Sequence, residues 1–132
     1  MTVSTMLSLL SEGFVTSLLI FVLTLLFSMP LGLAVMFGRR SRLTPLRGFI
    51  KAYISIMRGT PLMLQLMVVF YGPKLLLGVT VPGNWRFTAV IVAFVINYAA
   101  YFAEIYRGGI ESIPVGQYEA AEVLGYTRGQ TF

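Results

Sequence analysis

Gly13–Arg42 reads GFVTSLLIFVLTLLFSMPLGLAVMFGRRSR, and this stretch decides the fold. No charge lies between Gly13 and Gly38. Coiled as a helix, residues 14–37 reach about 36 Å, enough to span the ~30 Å hydrocarbon core of a bilayer. A cleaved leader is not expected: no basic residue precedes the run, the run is too long, and no clear small-x-small cleavage site follows it. Pro30 removes one backbone hydrogen bond, so a kink is expected there, tolerable in lipid where neighbouring helices cover the freed carbonyl.

The rest of the chain agrees. Hydrophobic residues make up 57% and charged residues 11% of its 132 positions, against ~25% charged in ordinary soluble domains. A soluble domain of this length could not bury that much apolar surface. Cys, His and Asp are all absent, which excludes disulfides, an imidazole base, a catalytic triad and the usual metal clusters. There is no G-x-x-x-x-G-K-[ST] phosphate loop, so any nucleotide would be bound by another chain. Neither enzymatic chemistry nor a cofactor is expected.

The net charge of +5 could suggest nucleic acid, but its placement argues otherwise. Arg39, Arg40, Arg42, Arg47 and Lys51 crowd one connection between apolar segments. That is the positive-inside pattern, which holds such a loop in the cytoplasm, and no nucleic-acid partner is expected.

A second apolar segment runs from Gly48 to about Gly72, and a third from near Arg86 to Tyr106. Pro73, Gly78, Pro82 and Gly83 mark the connection between them. The expected fold class is therefore all-α: a polytopic membrane protein with three transmembrane helices, near 14–37, 48–72 and 86–106, and a cytoplasmic region over 107–132. The basic first loop puts the N-terminus outside and the C-terminus in the cytoplasm. In the third helix Ala89, Ala93, Asn97, Ala100 and Glu104 share one stripe, which suits close helix packing, with the opposite side, including Val90 and Ile91, left for lipid. Asn97 there is either an interhelical hydrogen-bonding residue or a ligand contact.

Arg58-Gly59-Thr60-Pro61 interrupts the second segment. Pro61 disfavours helical geometry at Thr60, and Gly59 loosens the chain. Thr60 is expected to cap a new helix with Pro61 at its first position. Two placements stay open. A break at mid-membrane would aim free N–H groups and Arg58 at an anion such as a carboxylate. Alternatively residues 48–58 lie along the cytoplasmic interface, with Arg58 snorkelling. Arg58, Gly59, Thr60, Pro61, Gln65 and Asn97 are the candidate substrate-path residues, although Gln65 shares a face with Arg58 only if the helix runs through the break. Glu104 and Arg107, three apart, are expected to pair.

Glu119-Ala120-Ala121-Glu122-Val123-Leu124-Gly125 describes a short helix, slim at its alanines, that Gly125 ends in the left-handed conformation. Placed beside a membrane bundle, it suits docking into a groove on a soluble partner.

The order of these pieces resembles a known family. Arg58-Gly59-Thr60-Pro61-Leu62 with Gln65 is followed by Ala103-Glu104-Ile105-Tyr106-Arg107-Gly108-Gly109-Ile110, Ser112-Ile113-Pro114, Gly116-Gln117 and Glu119-Ala120-Ala121 with Leu124-Gly125. This is similar to the permease subunit of ABC importers for polar amino acids, the histidine, glutamate, glutamine, arginine and opine group. The resemblance implies a bacterial inner-membrane component whose EAA motif, here Gln117, Glu119, Ala120, Ala121, Leu124 and Gly125, forms a coupling helix against an ABC ATPase subunit. It further implies a second permease subunit, an external amino-acid-binding protein and surrounding lipid as partners. The family core has five spans and continues past this motif, so a truncated permease or fragment is expected. The alternative is a small structural or regulatory three-span protein without transport activity.

Overall fold

The computed structural model describes residues 2–132. Among them the regular structure is entirely helical: α1 (Val3–Arg39), α2 (Thr44–Gly59), α3 (Leu62–Leu77), α4 (Trp85–Glu111), α5 (Val115–Val123) and α6 (Arg128–Thr131). Only α1 and α4 are long and apolar enough to cross a membrane as single helices. Their 37 and 27 residues correspond to about 55 and 40 Å. Helix α1 begins at Val3, well before the stretch read as its span, and runs on through Pro30.

The middle segment departs from a single helix over 48–72. It consists of α2 and α3, bent by 111° at the break, and the pair counts as a third span only if taken together. The cause is local. Thr60, forced into extended geometry by the following proline (φ −114, ψ 149), closes α2. Pro61, itself extended (ψ 136), occupies the N-cap of α3. The cap is thus one residue later than expected: Thr60 ends one helix rather than starting the next.

Helices α1 and α4 form the centre of the molecule. Thr24, Ser28, Gly32 and Met36, each four residues from the next, are the buried positions of α1. On α4 the buried positions are Ala89, Ala93, Asn97, Ala99, Ala100 and Ala103; four of the five stripe residues read from the sequence are among them, and Glu104 is only partly buried. A side-chain carbon added to Gly32 would lie 2.7 Å from Phe102 Cβ and 3.0 Å from the Ala99 carbonyl oxygen. Lipid offers no hydrophobic drive for helices to associate, so such close backbone approach supplies the contact instead. Val90 and Ile91 are half-buried rather than fully lipid-facing; Ile91 shares a hollow with Phe27 and Leu31 of α1.

The pairings fix directions. Thr24 shares a hollow with Phe94 and Tyr98, while Met36 clusters with Ala100 and Ala103, so α1 and α4 run parallel. Trp85 Nε1 donates to the Phe70 carbonyl at 3.0 Å, and Gln65 shares a hollow with Ala93 and Ile96. Helix α3 therefore runs antiparallel to α4 and returns the chain to the far end of the bundle. At the other end Phe37 and Phe132 pack with ring centroids 6.1 Å apart, which brings the chain's last residues beside the end of α1 and the basic connection.

Candidate functional site

The break between α2 and α3 is held by side chains from both sides of it. The Thr60 hydroxyl donates to the Ile56 carbonyl at 2.7 Å. Gln65 Nε2 reaches back from the first turn of α3 and donates to the Met57 carbonyl (3.0 Å), the Thr60 carbonyl (3.3 Å) and Thr60 Oγ1 (2.7 Å). These carbonyls lose their helical partners at the bend, and a membrane provides no water to replace them. Gln65 Oε1 remains buried without a partner. The Tyr53 hydroxyl donates to the Ile96 carbonyl and ties α2 to α4 just before the break.

On the inner side of the bend lies a hollow of about 330 Å³, lined by Met57, Thr60, Leu64, Gln65, Ala93 and Ile96 among others. Its wall is almost wholly apolar. Of the six residues proposed from sequence for the substrate path, the structure brings Thr60 and Gln65 together here. Gly59 and Pro61 form the adjoining backbone, and nothing packs within 4 Å of where a Gly59 side chain would begin. Asn97 sits apart within the alanine stripe at 4% exposure.

Arg58 also points elsewhere. Its guanidinium lies 5.7 Å from the Tyr101 ring centroid and 3.5 Å from Glu104. Glu104 is a hub: Arg39 at the end of α1 contacts its Oε1, and Arg107 donates to its Oε2 at 2.8 Å. Arg107 holds Glu111 as well, at 3.2 Å. The Glu104–Arg107 pair was legible from the spacing of three. Arg39 and Arg58 were not, because they reach Glu104 only once α1 and α2 pack against α4. The available signal was that an acidic side chain beside a span requires basic partners. One carboxylate of α4 thus joins the ends of α1 and α2, and it lies about two turns along α4 from the hollow at Ile96.

Beyond α4, Pro114 starts α5 from extended geometry (ψ 143) and Leu124 ends it. Gly125 adopts φ +79. Its N–H donates to the Glu122 carbonyl and the Tyr126 N–H to the Ala121 carbonyl, both at 3.0 Å. This paired pattern is the Schellman termination, which requires a left-handed residue at the Gly125 position. Thr127 then opens α6 with a reciprocal cap: Gln130 N–H donates to Thr127 Oγ1 and Thr127 N–H to Gln130 Oε1. The two alanines part company. Ala121 is 9% exposed and turns into a hollow with Gln117, Leu124, Tyr126 and Phe132, whereas Ala120 stays exposed despite lining the same hollow. The outward side of α5 carries Glu119 and Val123, the latter 86% exposed.

The sequence and the overall fold match known proteins. Residues 28–132 match the family described as the binding-protein-dependent transport system inner membrane component. The chain is 40% identical over 119 residues to the arginine transport system permease protein ArtQ of Bacillus subtilis (strain 168), covering 90% of this chain and 53% of that protein. It is 37% identical over 123 residues to the L-cystine transport system permease protein TcyB of the same organism, covering 92% and 50%. The crystal structure of an amino acid ABC transporter with histidines superposes with a TM-score of 0.82 at 33% identity, covering 99% of this chain and 62% of that one. The chain spans about half the length of the curated relatives it matches. With the family pattern extending from Ser28 through the α5 termination, the chain belongs to the inner-membrane components of binding-protein-dependent transport systems.

Proposed function

We propose that this chain is a membrane-spanning part of an ATP-driven importer for a polar amino acid, and that α5 with its Gly125 termination is the element on which an ABC ATPase subunit acts. The observation that carries the reading is α5 itself. It is a short helix beyond the end of α4, closed by a left-handed glycine, with Val123 and Leu124 exposed at 86% and 69%. A small apolar helix of this kind fits a groove on a soluble protein. The alanine face envisaged from sequence is divided: Ala120, Val123 and Glu119 present themselves to the ATPase, while Ala121 is covered and supports α5 from behind.

The basic connection, α5 and α6 lie at one end of the molecule, so the positive-inside rule places all three in the cytoplasm and the N-terminus outside. A second permease subunit and an external amino-acid-binding protein complete the machine. The bend, with Thr60, Pro61 and Gln65, borders the solute path, and Arg58, Gly59 and Asn97 lie beside it. The names of the arginine and cystine relatives support an amino-acid substrate.

The test substitutes Gly125→Val and Val123→Arg in the full-length permease assembled with its ATPase. A β-branched residue at φ +79 is strained, and a charge at Val123 opposes an apolar groove. Insertion is expected to stay normal while uptake is lost or uncoupled from ATP hydrolysis. Parental uptake in both variants would remove α5 from this role.

A further inference from the structure

Helix α2 carries two opposed flanks that the import reading does not use. Its core side, Ile50, Tyr53, Ile54 and Met57, packs on α1 and α4. Arg47, Lys51 and Arg58, at spacings of four and seven, follow a second flank of the helix. Phe49 and Ile56, seven apart and 73% and 57% exposed, follow the side opposite. Arg58 is engaged by Glu104. Among the described residues Arg40, Arg42, Arg47 and Lys51 form no ion pair, and Leu43 between them is 65% exposed.

We propose that α2 and the connection before it, Arg40–Lys51, form an interfacial surface that recognises the headgroups of anionic phospholipids. The bend supplies the geometry: at 111° to α3, α2 lies across the bundle rather than along it. One flank then sinks Phe49 and Ile56 toward the acyl chains, while the other holds Arg47 and Lys51 at phosphate level. An amphipathic helix with basic and apolar sides of this kind binds in the plane of a membrane surface. The unpaired charges choose the lipid, because each Lys or Arg near an anionic surface contributes about 1 kcal/mol, about fivefold in local affinity. A soluble acidic partner would account for the arginines but not for a largely exposed phenylalanine on the other side of the same helix.

The experiment places a reporter in the apolar flank. Phe49→Trp is made in the full chain and reconstituted in phosphatidylcholine vesicles containing the same mole fraction of either brominated phosphatidylglycerol or brominated phosphatidylcholine. Native Trp85, at the opposite end of α4, provides the reference signal from the parent protein. Quenching of the Trp at position 49 by the anionic lipid is expected to exceed that by the neutral one by at least about fivefold, the contribution of a single Lys or Arg. Adding Arg42→Gln, Arg47→Gln and Lys51→Gln, which leaves Arg40 as the one unpaired charge of the surface, should remove most of that excess with helix content unchanged. Equal quenching in the Phe49→Trp protein would overturn the proposal, as would an anionic preference undiminished by the three substitutions. If the triple variant does not insert, a salt titration of Phe49→Trp alone decides. Loss of the preference as salt rises supports headgroup recognition, and its persistence overturns it. Equal quenching accompanied by protection of Arg47 and Lys51 only when the ATPase subunit is bound would assign the flank to that protein instead.

Discussion

Replacing Glu104 by Gln keeps the side chain's shape and removes the one charge that three arginines share. Its side chain is 15% exposed, and its partners differ in how far solvent reaches them: Arg39 22%, Arg107 31% and Arg58 47%. A charge-assisted hydrogen bond contributes ~1.5–3 kcal/mol when well shielded. Discounted for partial exposure, Arg39 and Arg107 contribute about 1 kcal/mol each, and Arg58, longer and half in solvent, less than either. Glu104→Gln should therefore cost about 2–3 kcal/mol, more than any single arginine substitution, because it also leaves three guanidiniums facing each other. The assay is reversible unfolding in mixed micelles for Glu104→Gln, Arg39→Gln, Arg58→Gln and Arg107→Gln. Double-mutant cycles with Glu104 should give couplings ordered Arg39 and Arg107 above Arg58. A Glu104→Gln variant within about 0.5 kcal/mol of the parent, or a largest coupling at Arg58, would refute the exposure-based ranking.

Other substitutions probe separate elements. Gly32→Leu forces a side chain into the Phe102 and Ala99 backbone region and should cost more than about 2 kcal/mol in the same unfolding assay, with Gly13→Leu, whose added carbon meets nothing within 4 Å, as the neutral control. Gln65→Leu removes three hydrogen bonds across the break, so spin labels at Thr44 and Leu77 should show a broader distance distribution than in the parent; an unchanged distribution would mean that the backbone alone sets the bend. Gly125→Ala has open space but a left-handed backbone, so a loss of about 1 kcal/mol, confined to hydrogen exchange in α5 and α6, is expected.

What could be read in advance depended on whether the cause was local. The Ala89–Ala93–Asn97–Ala100 stripe was visible because helical periodicity alone puts those residues on one face. Gly125 was visible because a glycine after a helical run has few other uses, and the Thr60–Pro61 break because proline constrains its predecessor. The 111° angle was not, since it depends on where α3 packs against α4 through contacts such as Trp85 with Phe70. Arg58 gave an ambiguous signal: its charge suggested a ligand site, whereas in the fold it closes an ion cluster with a residue 46 positions away. The division of Ala120 from Ala121 was likewise hidden. Both have the same local chemistry, and only the return of the chain through α6 to Phe132 decides which one is covered.

The proposal that an ATPase subunit engages α5 is tested most directly by cross-linking. The chain has no native cysteine, so Val123→Cys introduces a unique thiol on the outward side of α5. In membranes containing the assembled importer, a short bifunctional reagent from the cytoplasmic side should join this position to the ATPase subunit in high yield, while Leu75→Cys, at the far end of α3, should give no such product. Efficient labelling of Val123→Cys from the outside, or accessibility from the cytoplasm without any cross-link to the ATPase, would contradict the account.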